Sequence, residues 1–204
     1  KKILTNKRFW IAASTHEGEE IFCLKTHLRI KQKYKDILTI IAPRHIERAQ
    51  DIKSLSKKFN FESQILNKGE PIMKKKEIII INSFGVLQEY FKFSKSVFMG
   101  KSLIRKLKND SGQNPIDAAK LKCKIYHGPY VYNFKEIYKI LKKNNISKKI
   151  ENYKQLSANL ISDLKSPIKK SNRSVSIIND LGQKTLNDTM KNINNFISND
   201  IKKT

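Results

Sequence analysis

Phe9-Trp10-Ile11-Ala12-Ala13, running into Ser14-Thr15-His16-Glu17-Gly18-Glu19-Glu20, decides the fold. The first five residues are a short apolar run, the pattern of a strand buried on both faces. The next seven form a polar turn, rich in residues that cap helices and with acids where a first turn would begin. Ile21, Leu24 and Leu28 then recur at helical spacing, which predicts a helix to about Lys33. Strand, polar turn and helix in that order are the opening of a βαβ unit.

The same order repeats outward from that stretch. Ile37 to Ala42 reads as a second strand stopped by Pro43, and a helix carrying Ala49, Ile52 and Leu55 precedes a third strand from Phe61 to Leu66. A basic loop from Asn67 to Glu77 leads to the apolar strand Ile78 to Ile81. A helical stretch from Val86 to Phe93 follows, then a short strand, Ser96 to Met99, ending at Gly100. Lys101 to Asp110 is basic and poorly patterned. Lys122 to Tyr126 is a further strand, and Phe134 to Lys143 a helix. Beyond Ser147 the pattern is helical only: Leu156, Leu160 and Leu164 share one face, then Ile178, Leu181, Ile193 and Ile197 follow a break at Pro167. No internal repeat is present. Strands alternating with helices imply right-handed parallel crossovers, hence an α/β fold with a doubly wound parallel sheet. Residues 1–150 are predicted to form that domain, with the helices of 151–204 packed on it.

Ligands of such sheets bind at the carboxyl ends of the strands. Five polar turns are predicted on that rim: Ser14 to Glu20, Pro43-Arg44-His45, Asn82 to Gly85, Gly100 to Asp117, and Gly128 to Asn133. Ser14 and Glu17 have the spacing of a capping box. That leaves His16 and Gly18 unexplained, and a glycine there suggests close approach by a ligand. Arg44 offers a planar fork of donors for phosphate or carboxylate, and His45 a neutral donor or acceptor. In Gly112-Gln113-Asn114-Pro115-Ile116-Asp117, Asn114 can cap a helix that opens on Pro115, aiming free N–H groups at an anion. Asp117 in the first turn is either a dipole partner or an acceptor for ribose hydroxyls. His16, His45 and His127 are too scattered to suggest a metal site. There is no G-x-S-x-G elbow, no Walker loop and no complete nucleophile–base pair.

Composition bounds the partners. With 42 Lys+Arg against 18 Asp+Glu in 204 residues, the formal net charge is +24. Clustered cations would suggest nucleic acid. Here lysines run through the whole chain beside many Asn and Ile residues, the mark of a general bias that leaves solvated helix faces. An acidic lipid surface or a phosphorylated substrate is the next reading. Cys23 and Cys123 lie in apolar patterns far apart, which predicts reduced, buried thiols. No apolar run approaches the ~20 residues of a membrane span. The chain opens on Lys rather than Met and is read as a piece of a longer protein.

Taken together the turns resemble the 3-deoxy-D-manno-octulosonic acid (Kdo) transferase family. The resemblance is carried by Trp10 to Glu20, Ala42 to Arg48, Phe98 to Leu103, Gly112 to Ala119, and Gly128-Pro129 with Asn133-Phe134. It implies the C-terminal, Rossmann-like half of a GT-B glycosyltransferase. The implied reaction moves Kdo from CMP-Kdo to a lipid A precursor, inverting and without a metal or other cofactor. It acts at the cytoplasmic face of the inner membrane of a Gram-negative bacterium. The implied partners are the CMP-sugar donor, the lipid acceptor through an N-terminal domain outside this chain, and an anionic membrane surface; nucleic acid is not expected. The resemblance places Ser14, Thr15, His16, Glu19, Pro43, Arg44, His45, Gly100, Ser102, Gly112, Gln113, Asn114, Asp117 and Asn133 at the donor. Arg44 and the Asn114 helix start would face the CMP phosphate, and Asp117 the ribose. The general base would be a glutamate of the other domain, so no catalytic residue is expected here. Departures from the family pattern are Lys101 in place of glycine, the extra segment Lys106 to Asp110, Asp117 in place of glutamate, and Tyr130 in place of histidine.

Overall fold

A computed structural model describes residues 2–5, 7–166 and 172–201, so the break expected at Pro167 lies outside the described residues. Helix α1 (Lys2–Thr5) precedes β1 (Phe9–Thr15), α2 (Glu19–Lys33), β2 (Leu38–Pro43), α3 (Ala49–Lys58), β3 (Ser63–Leu66) and β4 (Ile78–Ile81). Then come α4 (Leu87–Phe91), β5 (Ser96–Met99), α5 (Ile116–Lys120), β6 (Lys124–His127), α6 (Lys135–Lys143), β7 (Ser147–Lys149), α7 (Tyr153–Asp163) and α8 (Arg173–Ile201). The strands form one seven-stranded sheet in the order β3-β4-β2-β1-β5-β6-β7. Every pairing is parallel. The chain winds from β1 to one edge, then crosses to β5 on the other side of β1. The strand order therefore reverses between β1 and β5, and sheets of this kind hold ligands outside the carboxyl ends of the strands at such a reversal.

Alternate residues of each strand feed two cores, as a pleated strand covered on both faces requires. Trp10, Ala12, Ile41, Ile80, Phe98 and Tyr126 pack with Leu24 of α2, Ile52 of α3, and Leu156 and Leu160 of α7. On the other face Ile11, Ile40, Ile79, Val97 and Ile125 meet Leu4, Phe91, Ala118, Tyr138, Leu141 and Ile178. Cys23 and Cys123 are buried in these layers and form no disulfide. The far end of α8 differs from the expected apolar face: Ile178 is buried, but Ile193 and Ile197 are exposed. Among the described residues no helix is long and apolar enough to cross a membrane.

Strand β7 was not legible. Ser147-Lys148-Lys149 has neither the length nor the apolar content of a strand, and it forms only because it completes the ladder beside β6. At the amino-terminal end of the sheet, α7 is moored by Asp163. Its carboxylate accepts from Tyr126 Oη at 2.6 Å and Ser96 Oγ at 2.7 Å, with Lys124 Nζ at 3.2 Å. The carboxyl ends of the strands are left to the polar turns.

Candidate functional site

The five turns follow the carboxyl ends of β1, β2, β4, β5 and β6 and so lie on one rim of the parallel sheet. The carboxyl ends of β1 and β5 approach too closely for a side chain between them. A Cβ on Gly100 would lie 2.4 Å from the Ser14 carbonyl oxygen and 2.7 Å from Thr15 Cα, so only glycine lets the two strand ends meet. Ser14 and Lys101 flank that contact in the left-handed region, at φ 54° each. Glycine adopts that backbone without strain, so Lys101 occupies its position at a conformational cost.

Glu19 is where the structure departs most from the sequence reading. It was expected to line the cleft near the donor; instead it is buried, and both carboxylate oxygens are occupied. Oε2 accepts the N–H of His16 at 3.0 Å and of Lys101 at 2.8 Å. Oε1 accepts those of Ser102 at 2.9 Å and Leu103 at 3.0 Å. Burial pushes the Glu19 carboxyl up from its usual range, and the four N–H donors pull against that. Glu19 thus fastens the turn after β1 to the turn after β5. The capping-box reading of Ser14 and Glu17 also gives way. Helix α2 begins at Glu19 with Gly18 before it at φ 91°. A Cβ on Gly18 would meet nothing within 4 Å, so the glycine answers to backbone conformation rather than to a close neighbour.

The remaining turns are stitched in the same way. Ser102 is fully buried; its Oγ donates to the Met99 carbonyl at 2.7 Å and accepts the Gly128 N–H at 2.8 Å. A Cβ on Gly128 would lie 2.1 Å from the Ser102 carbonyl oxygen. The Gly112 N–H donates to Lys101 O at 2.7 Å, and the Asn133 N–H to Ser111 O at 3.0 Å. Asn133 Nδ2 also reaches Asp110 at 2.8 Å, and Lys101 Nζ pairs with the same carboxylate at 2.7 Å. The Lys101 to Asp110 segment is thereby tied into the rim.

The accessible groups are fewer than expected. Thr15, Glu19, Pro43, Gly100, Ser102 and Gly112 are buried and shape the rim. Ser14 and His16 are half-buried, while Arg44, His45, Asn114, Asp117 and Asn133 are exposed, with Gln113 between. Among the described residues the Arg44 guanidinium has no protein partner, although its backbone N–H is held by Thr15 O at 2.9 Å. The rings of His16 and His45 meet edge to face at 5.7 Å. Burial and the neighbouring Lys101 and His45 hold His16 below the usual histidine range, despite its bond to the Ser14 carbonyl. Asn114 Oδ1 accepts the Ile116 N–H at 3.0 Å, but α5 opens one residue later than expected, at Ile116, with Pro115 rather than Asn114 at its cap position. That helix has five residues, so little macrodipole adds to the local N–H groups. Asp117 is met by Gln88 Nε2 of α4 at 3.1 Å, a neighbour no sequence signal identified. Size does not mark this site. Hollows of about 510 and 680 Å³ lie at the amino-terminal end of the sheet, by Phe9 and Lys95, and along edge strand β3.

The Arg44 guanidinium and the unpaired backbone N–H groups of this rim are donors suited to an anion, and two of the acids beside them are engaged. Besides Glu19, Glu20 is buried in a bidentate pair with Arg48 at 2.8 and 3.2 Å.

No family model matches the chain. It is 32% identical over 136 residues to the 3-deoxy-D-manno-octulosonic acid transferase of Haemophilus influenzae, covering 67% of this chain and 31% of that protein. It is 26% identical over 160 residues to the enzyme of the same name from Aquifex aeolicus, covering 78% of this chain and 43% of that one. The chain therefore spans well under half the length of these curated relatives. Its fold matches that of the C-terminal CMP-Kdo binding domain of WaaA from Acinetobacter baumannii, with a TM-score of 0.75 at 22% identity, over 89% of this chain and 92% of that domain. These relatives, together with a doubly wound sheet whose polar turns share one rim, lead to one conclusion: the chain belongs to the 3-deoxy-D-manno-octulosonic acid transferase family.

Proposed function

We propose that this chain is the donor-binding domain of a glycosyltransferase that moves Kdo from CMP-Kdo to a lipid A precursor at the cytoplasmic face of the inner membrane. The observation that carries the reading is the rim itself. Five family motifs, carried by four of the rim's turns, flank the strand-order reversal, and among the described residues the Arg44 guanidinium and the N–H groups of Gln113 and Asn114 have no protein partner. In this reading Arg44 and those N–H groups hold the phosphate of CMP. They stabilise the charge that develops as CMP departs, without the donor set rearranging. Asp117, held toward α4 by Gln88, accepts from the ribose hydroxyls. Ser14, His16 and His45 line the donor's approach over β1 and β2, and Asn133 closes the far side.

The acceptor hydroxyl must lose a proton, and the two buried acids of the turn after β1 are poor candidates to take it. Glu19 has no free lone pair directed outward, and Glu20 is committed to Arg48. By the family likeness the base is a glutamate of a domain outside this chain, and that domain holds the acceptor. Displacement is inverting and needs no metal in this scheme. The test is calorimetry with CMP, UDP and a short oligonucleotide at two salt concentrations. Preference for CMP that falls at least tenfold in Arg44→Ala supports the reading. Equal binding of UDP points to another nucleotide sugar, and tight, steeply salt-dependent oligonucleotide binding to a nucleic-acid module.

A further inference from the structure

Resting on that reading of the rim, we infer that Tyr138 is a positioning residue: its hydroxyl holds the Gln113 carbonyl inward and so aims the Asn114 N–H at the donor phosphate. Tyr138 lies on α6, is 3% exposed, and donates its hydroxyl to Gln113 O at 3.0 Å. In a trans peptide the carbonyl and the N–H of the same unit point in opposite directions. A Gln113 carbonyl drawn down toward α6 therefore turns the N–H of Asn114 outward.

Several other donors of the turn are occupied or absent. The Gly112 N–H is spent on Lys101 O, the Ile116 N–H on Asn114 Oδ1, and Pro115 has none. Within the turn Gln113, Asn114 and Asp117 keep N–H groups with no protein partner among the described residues. Of these, the Asn114 N–H belongs to the peptide whose carbonyl is held by the Tyr138 side chain.

The tyrosine is itself held. Its ring packs against His127 with centroids 4.4 Å apart and planes at 48°. His127 donates Nδ1–H to the Gly128 carbonyl at 2.7 Å, and burial pushes its pKa down to about 4, so it stays neutral under the phenol. Burial also raises the Tyr138 pKa, which keeps the hydroxyl a donor. A phenylalanine would fill this layer beside Leu141 and Ile125 equally well, and the hydroxyl adds one directed bond to the turn above.

Tyr138→Phe keeps the ring and removes that bond. CMP and cytidine separate positioning from mere stability, because only CMP carries the phosphate. In the variant the affinity for CMP is expected to fall about tenfold, while that for cytidine changes less than twofold and the fold is retained by circular dichroism. In amide NMR spectra the Asn114 resonance should shift more than those of α6. Equal losses for CMP and cytidine, or no loss for either, would overturn the proposal. Should the wild-type chain bind neither, the donor reading fails on its own, and inorganic phosphate becomes the probe. A phosphate-induced Asn114 shift present in wild type and lost in Tyr138→Phe still supports the positioning role, and identical titrations overturn it.

Discussion

Replacing Glu19 by Gln tests the central structural claim about the rim, that one buried carboxylate fastens two turns. The amide oxygen of Gln can accept two of the four N–H groups now bound by the carboxylate. Its NH2 group must then face the other two, donor against donor. Hydrogen bonds to a charged acceptor contribute about 1.5–3 kcal/mol each, so the two that are lost set the scale at roughly 3–6 kcal/mol. Relief from burying a charge offsets part of this, leaving a destabilisation of about 3 kcal/mol, a sizeable share of the ~5–15 kcal/mol of a typical domain. With a urea slope of about 2–3 kcal/mol/M the unfolding midpoint should fall by about 1 M. Amide exchange locates the effect. The N–H groups of His16, Lys101, Ser102 and Leu103 should lose protection together, well before those of β4. A midpoint within about 0.3 M of wild type, with protection at those four amides unchanged, would refute the reasoning.

Lys101→Gly and Lys101→Ala both delete the exposed pair with Asp110, yet only glycine relieves the left-handed backbone at φ 54°. The glycine variant should be the more stable of the two by about 1 kcal/mol, read as a Tm difference of about 2–4 °C; equal Tm values would remove the strain explanation. Gly128→Ala forces a Cβ to within 2.1 Å of the Ser102 carbonyl and displaces the β6 turn, so a loss of at least ~2 kcal/mol by urea unfolding is expected. Acid sensitivity should centre on Glu77. Burial raises its pKa, but the bonds from His27, Lys31 and the Glu62 N–H outweigh this and hold it at about 2. Its folded pKa lies below the unfolded value, so its contribution is complete above about pH 4.5 and is lost as the pH falls toward 2. After allowance for solvent screening the loss is about 2 kcal/mol. Glu77→Gln should flatten the stability curve over that window, and an unchanged acid slope would exclude this origin.

The fold and the rim were legible because both depend on short-range rules. Apolar runs such as Ile78 to Ile81 and helical spacing such as Ile21, Leu24 and Leu28 fix element type over a few residues. Pro43, Gly100 and Gly128 then stop strands where the polar turns begin. The roles of individual side chains were less legible. An acid in a first helical turn is compatible with a dipole partner, a ligand contact or a buried fastener, and Glu19 proved to be the last. Its partners at 101–103 lie more than eighty residues away.

By itself, then, the sequence determined that strands and helices alternate and that the polar turns share one rim, because period and turn chemistry act between near neighbours. Only the tertiary structure decided which of those turn residues face outward. The crossover from β4 to β5 brings Gly100 against Ser14, and the packing of α6 under the sheet sets Tyr138 beneath Gln113. Until those segments meet, the four N–H groups around Glu19 and the carbonyl above Tyr138 have no common partner. Hydrogen bonds between distant segments exist only once the chain has closed on itself, and they divide this rim into residues that build it and residues that can bind.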